Sequence, residues 1–146
     1  MDIGLEGEGV ADKRVMLIKT HWPERSGSLF YPTQKAILLV RSPLDCIISL
    51  FHMDCTGTHD CSIIESDFIS YRKQWEEWVQ NEITVWRDFH NAWMKMEIPI
   101  HIVRYEDLVD RPGEVMPDLI KFVFGVADIK GTLVQSYIDI AVAEGA

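Results

Sequence analysis

Ala36-Ile37-Leu38-Leu39-Val40-Arg41-Ser42-Pro43-Leu44-Asp45 joins a strand to a helix start within ten residues. Five apolar residues without alternation are the pattern of a strand covered on both faces, as in a parallel sheet. Ser42 supplies an N-cap, Pro43 brings the fixed φ suited to the first helical position, and Asp45 puts a carboxylate in the first turn. Ile47, Ile48, Leu50 and Phe51 then predict a helix to about Met53. Arg41 is left at the carboxyl end of the strand, where open α/β sheets bind ligands. An arginine there suits bidentate recognition of phosphate, with a helix-flanking surface charge as the plain alternative. Ser49 lies about two turns into the helix; a serine in a helix is common and says little alone.

Upstream, Val15-Met16-Leu17-Ile18 is a second apolar run and predicts another buried strand. Lys19-Thr20-His21-Trp22-Pro23 then falls at a strand end, in the same ligand-binding layer. Lys19 offers a fixed cation, and His21 a group that titrates near neutral pH. Together they suit transfer of an anionic group to a hydroxyl, with His21 taking the proton and Lys19 stabilising developing charge. A surface lysine beside a structural histidine is the bland reading of the same pair.

Downstream, residues 54 to 62 predict a polar loop. Trp75, Val79, Ile83, Trp86, Phe89, Trp93 and Met96 recur at helical spacing, with a break expected near Gln80-Asn81. Such a stripe reads first as core, with an acceptor-binding wall or a partner surface as the alternatives. Ile100 to Tyr105 predicts a third strand near a sheet edge. Pro112 to Phe124 predicts a helix ended by Gly125, and residues 131 to 144 a weaker last helix. Strands alternating with helices argue for an α/β fold with a parallel sheet. Three strands is a thin sheet, which suggests part of a larger domain.

Composition bounds the function. The 146 residues are 47% hydrophobic and 25% charged, an ordinary globular balance. Net charge is −9, from 14 basic against 23 acidic residues. That field repels nucleic acid and anionic membranes. Basic residues nonetheless gather between Lys13 and Arg41, which suits a small, multiply charged anion. No apolar run approaches the roughly 20 residues of a membrane span. Residues 1–14 read as a flexible acidic leader, without the pattern of a signal peptide, and residues 15–146 as one domain. Three cysteines cannot all pair within the chain, which favours a reducing, cytoplasmic setting. Cys55, His59 and Cys61, with His52, Asp54 and Asp60 nearby, do not have zinc-ligand spacing, so no metal is expected.

Three segments, in order, resemble the sulfotransferases that use 3'-phosphoadenosine-5'-phosphosulfate (PAPS). Lys19-Thr20-His21-Trp22-Pro23 is similar to the family's Lys-Thr-His-x-Pro segment. Leu39-Val40-Arg41-Ser42-Pro43-Leu44-Asp45-Cys46-Ile47-Ile48-Ser49 is similar to its 3'-phosphate-binding strand and helix. Val103-Arg104-Tyr105-Glu106-Asp107-Leu108 is similar to its Tyr-Glu-Asp-Leu segment. The resemblance runs from about Val15 to Phe124. It implies a partial P-loop-NTPase-like three-layer sandwich, a parallel sheet flanked by helices. It also implies PAPS as sulfuryl donor and 3'-phosphoadenosine-5'-phosphate (PAP) as product. In it His21 is the general base, Lys19 holds the sulfuryl group, Arg41 and Ser49 bind the 3'-phosphate, and Tyr105 lies near the nucleotide. Glu106 and Asp107 are expected to be structural, bonding nearby backbone. The long Arg41 side chain is expected to fold toward Ser49.

Residues 1 to 14 do not match the family's phosphosulfate-binding loop, and residues 126 to 146 lack its Arg-Lys-Gly segment. Weak or no catalysis by this chain is therefore the expectation. The rival reading is a catalytically inactive nucleotide-binding or protein-interaction module derived from the same fold. A nucleotide kinase is disfavoured, because no Gly-x-x-x-x-Gly-Lys-[Ser/Thr] occurs. The acceptor is expected to be a small-molecule or carbohydrate hydroxyl, with Trp22 as a candidate pocket wall. A homodimer is expected if the aromatic helices are left exposed. For a carbohydrate-directed member the compartment would be the Golgi lumen.

Overall fold

The structure, a computed structural model, describes residues 10, 12, 14–23, 30–58 and 60–145. Strand β1 (Ala36–Val40) leads into helix α1 (Pro43–Thr56), followed by α2 (Glu65–Ser70) and α3 (Arg72–Met94). Strand β2 (Ile100–Arg104) comes next, then α4 (Tyr105–Asp110), α5 (Pro112–Phe124) and α6 (Leu133–Gly145). The two strands pair in parallel, from Ala36 opposite Ile100 to Val40 opposite Arg104. The fold is α/β, with a parallel sheet flanked by helices.

Register and burial show how the sheet is covered. Leu38 pairs with Ile102 and Leu39 with Val103, and paired residues share a face. Leu38 and Val103 are buried, whereas Leu39 and Ile102 are about half exposed. The sheet is thus covered unevenly, with Leu38 buried on one face and Val103 on the other, and α4 and α5 pack on β2. Ile47, Phe51, Trp93, Ile129 and Ile138 complete the buried apolar set.

The expected strand over Val15–Ile18 does not form. Among the described residues the sheet has two strands, and Met16 is 68% and Leu17 60% exposed. An apolar run becomes a strand only where a neighbouring backbone completes its hydrogen bonds. Here the four side chains line a cavity instead of packing into a layer.

The helices follow local chemistry closely. Ser42 is the N-cap of α1 and Pro43 opens it. α1 runs past the expected Met53 to Thr56 and ends on Gly57, whose φ of 71° lies in the left-handed region that glycine adopts without strain. The Gly57 N–H donates to the Met53 carbonyl at 2.8 Å. α3 is continuous through Gln80–Asn81; the break falls at Tyr71, between α2 and α3. Neither Gln nor Asn forces a break, and the apolar face continues across them.

Phe51 of α1 meets Phe68, Trp75 and Trp78 at centroid distances of 5.0 to 5.7 Å. Aromatic pairs of this kind add about 0.5–1.5 kcal/mol each beyond area burial. Of the expected stripe Trp93 is buried, whereas Trp75 is half-buried and Ile83 exposed. Lys35 donates to the Phe122 carbonyl at 2.7 Å, placing a cation on the C-terminal end of α5. Among the described residues no helix is long and apolar enough to cross a membrane.

Candidate functional site

Arg41 is fixed from three sides. β1 ends immediately before it and α1 starts two residues on. Its carbonyl accepts the Trp86 indole N–H at 3.3 Å. Its guanidinium lies over the Tyr105 ring, 4.6 Å from the centroid. A cation on an aromatic face is held without being neutralised. Arg41 makes no ion pair with a carboxylate among the described residues. Tyr105, expected as the last residue of a strand, opens α4 instead.

Glu106 locks the two strand ends together. Its Oε1 accepts the Ser42 backbone N–H at 2.7 Å. That bond, then its own backbone N–H, and then the charges of Arg104 and Arg41, hold the carboxyl below the ordinary carboxylate range. Glu106 is thus structural, as expected. Asp107 instead pairs with side chains, Arg104 at 3.5 Å and Arg111 at 3.0 Å.

The Lys19–Pro23 segment has no regular secondary structure. Thr20 Oγ1 accepts the Trp22 N–H at 3.0 Å. The Trp93 indole N–H donates to the Trp22 carbonyl at 2.8 Å, and the two indoles pack edge-on at 5.7 Å. Trp22 also packs on Phe30 at 4.8 Å. Trp22 is therefore an anchor and does not line the large cavity.

A cavity of about 1070 Å³ separates these segments. Lys19, His21, Arg41 and Tyr105 all line it, together with Trp86 and His90 of α3. Lys19 and His21 are exposed. Ser49 lies elsewhere, in an adjoining depression of about 230 Å³ that it shares with Arg41. Arg41 thus borders both spaces, although its guanidinium rests on Tyr105 and not against Ser49.

Sequence reasoning missed the supports on α3. Trp86 and Trp93 lie seven residues apart on one face, and each indole N–H bonds the carbonyl of a site segment. Their spacing was visible as an apolar stripe, but their use as donors was not. His90 was missed as well: its Nδ1–H donates to the Trp86 carbonyl at 2.7 Å and its ring lies 4.1 Å from the Trp86 ring. His90 Nε2 is buried without a hydrogen-bond partner. Glu82, buried on the same helix, also faces the cavity.

His59 of the cysteine loop lies outside the described residues. Among the described residues no three His, Cys, Asp or Glu side chains group as metal ligands. Partial burial, then the Asp54 and Asp67 carboxylates, pushes the Cys55 thiol up.

Comparison with known proteins adds an independent finding. Residues 7–130 match the family model described as "Sulfotransferase domain". The chain is 30% identical over 120 residues to "WSCD family member GA21586" of Drosophila pseudoobscura pseudoobscura. It is 28% identical to "WSCD family member AAEL009094" of Aedes aegypti and 29% to "WSCD family member CG9164" of Drosophila melanogaster, each over 120 residues. Each alignment covers 82% of this chain and 37% of the relative. The chain thus spans little more than a third of the length of these curated relatives. No solved structure matches it significantly.

Proposed function

The chain belongs to the sulfotransferase domain family, and from that premise we propose that it transfers a sulfuryl group from PAPS to an acceptor hydroxyl. The observation that carries this reading is one cavity lined jointly by Lys19, His21, Arg41 and Tyr105. In it the Arg41 guanidinium is oriented by an aromatic face and makes no close ion pair among the described residues. A charged donor held in that way suits an anionic ligand. The volume, about 1070 Å³, is at the upper end of ordinary ligand pockets and admits a nucleotide with a small acceptor.

When bound, PAPS supplies an activated sulfuryl group, and breaking its S–O bond to the 5'-phosphate leaves PAP. His21 takes the proton from the acceptor hydroxyl as that oxygen bonds to sulfur. Lys19 sets an ammonium against the charge on the sulfuryl oxygens. Arg41 and Ser49 hold the 3'-phosphate from the adjoining depression, and Tyr105 borders the nucleotide. In-line transfer of this type depends on positioning and on fixed cations more than on a covalent nucleophile. The acceptor is a small-molecule or carbohydrate hydroxyl.

The test is PAP formation from PAPS with methyl glycosides and phenols as acceptors. Turnover by the unaltered chain should fall about 100-fold or more in His21→Ala, while PAP affinity stays within about twofold. Unchanged turnover in His21→Ala would reject His21 as the base. PAP binding without turnover by the unaltered chain would point to the inactive nucleotide-binding module instead.

A further inference from the structure

We propose that His52 and the loop after α1 form the second wall of the 3'-phosphate subsite and set the preference for a 3'-phosphorylated nucleotide. This inference rests on the nucleotide reading above. Asp45, Ser49, His52 and Met53 share one face of α1, because residues three and four apart are neighbours on a helix. That face and Arg41 border the depression of about 230 Å³, and Thr58, Cys61 and Ser62 close its far side.

Hydrogen bonds return the loop over the helix. The Thr58 N–H donates to Thr56 Oγ1 at 3.3 Å, and the Ile63 N–H donates to His52 Nδ1 at 3.0 Å. The second bond fixes the histidine tautomer. A backbone N–H can only donate, so Nδ1 keeps its lone pair and the ring proton sits on Nε2. Phe68 meets the ring edge-on at 5.5 Å and holds its plane. Nε2–H makes no hydrogen bond among the described residues. His52 therefore closes the loop with one nitrogen and leaves a donor on the other.

The donor-bearing residues that line the depression are Arg41, Ser49, His52 and Ser62, with Arg41 shared with the large cavity. The Thr58 hydroxyl is already engaged, accepting from the Asp60 N–H at 3.2 Å and reaching Asp60 Oδ2 at 3.4 Å. Asp45 is the one carboxylate in the lining, and it is exposed to solvent, which screens it. A phosphate accepts from several donors at once, whereas a ribose hydroxyl leaves most of them unpaired. Unpaired donors make discrimination steep.

The test is calorimetric titration of the whole chain with PAP and with adenosine 5'-phosphate. His52→Asn separates the two roles of the ring: the Asn oxygen can accept the Ile63 N–H, but no donor replaces Nε2–H. The preference for PAP should fall about tenfold in His52→Asn at unchanged melting temperature. It should fall about threefold in Ser62→Ala and largely return in His52→Gln, whose amide reaches the Nε2 position. Arg41→Ala, run alongside, tests the underlying reading. If the unaltered chain does not prefer PAP, the nucleotide reading fails and this subsite with it. If Arg41→Ala abolishes the preference but His52→Asn keeps it, His52 is only a clasp for the loop, and the proposal falls while the reading stands. Should His52→Asn not fold, Ser62→Ala decides, and an unchanged preference overturns the proposal.

Discussion

Two segments meet at the large cavity, and they are held by different physics. Arg41 to Ser49 is fixed by a strand end, an N-cap and a proline at the first helical position, and by the bond from the Ser42 N–H to the distant Glu106. Lys19 to Pro23 has none of these. An indole bond from Trp93 and the edge-on packing of the two indoles tie it to α3, and Trp22 also packs on Phe30. The half of the site proposed to bind the anion thus has local capping in addition to long-range bonds from Glu106 and Trp86, whereas the half proposed to move the proton is tied by Trp93, more than 70 residues away in sequence. Order in the second half is easier to lose.

Substituting the two supporting tryptophans breaks this contrast most sharply. Trp93→Phe keeps the ring but leaves the Trp22 carbonyl without its donor. It should cost about 1–3 kcal/mol in denaturant unfolding and slow turnover about tenfold or more, with PAP affinity within about threefold. Trp86→Phe removes a longer bond to a segment with other supports and should cost no more than about 1 kcal/mol. Equal effects of the two on turnover would remove the distinction between the halves.

A smaller effect tests the local lock. The Ser42 N–H bond holds Glu106 below the ordinary carboxylate range, so folding favours its ionised form. That contribution is present above about pH 4.3 and is lost as pH falls through the lower folded value. Glu106→Gln should therefore flatten the decline of melting temperature with falling pH below about 4.3. Parallel curves for the two proteins would show that the bond does not stabilise the ionised carboxyl.

The same contrast explains what was legible in the sequence. β1 and the start of α1 were readable because a strand-to-helix junction writes its own signals: an apolar run, Ser42 and Pro43. Gly125 marked the end of α5 for the same reason. Val15–Ile18 was misread because apolar content does not specify a pairing partner. Tyr105 was read one residue too far into a strand, since nothing in Val-Arg-Tyr marks a helix start. The supports given by Trp86 and Trp93 rest on indole bonds to distant backbone carbonyls, which no periodicity records. Arg41 and His21 were found as candidates by chemistry at strand ends, but only the folded chain brings both to one cavity.

We propose that Arg41, oriented on Tyr105 and without a close ion pair among the described residues, makes this fold a receptor for a 3'-phosphorylated nucleotide. Calorimetric titration of the chain with PAP and with adenosine 5'-phosphate, repeated on Arg41→Ala, tests it most directly. PAP should bind at micromolar affinity, with a preference over adenosine 5'-phosphate of about tenfold or more, and Arg41→Ala should lose about 2 kcal/mol of PAP affinity. Equal affinity for the two nucleotides in the folded, unaltered chain would contradict it.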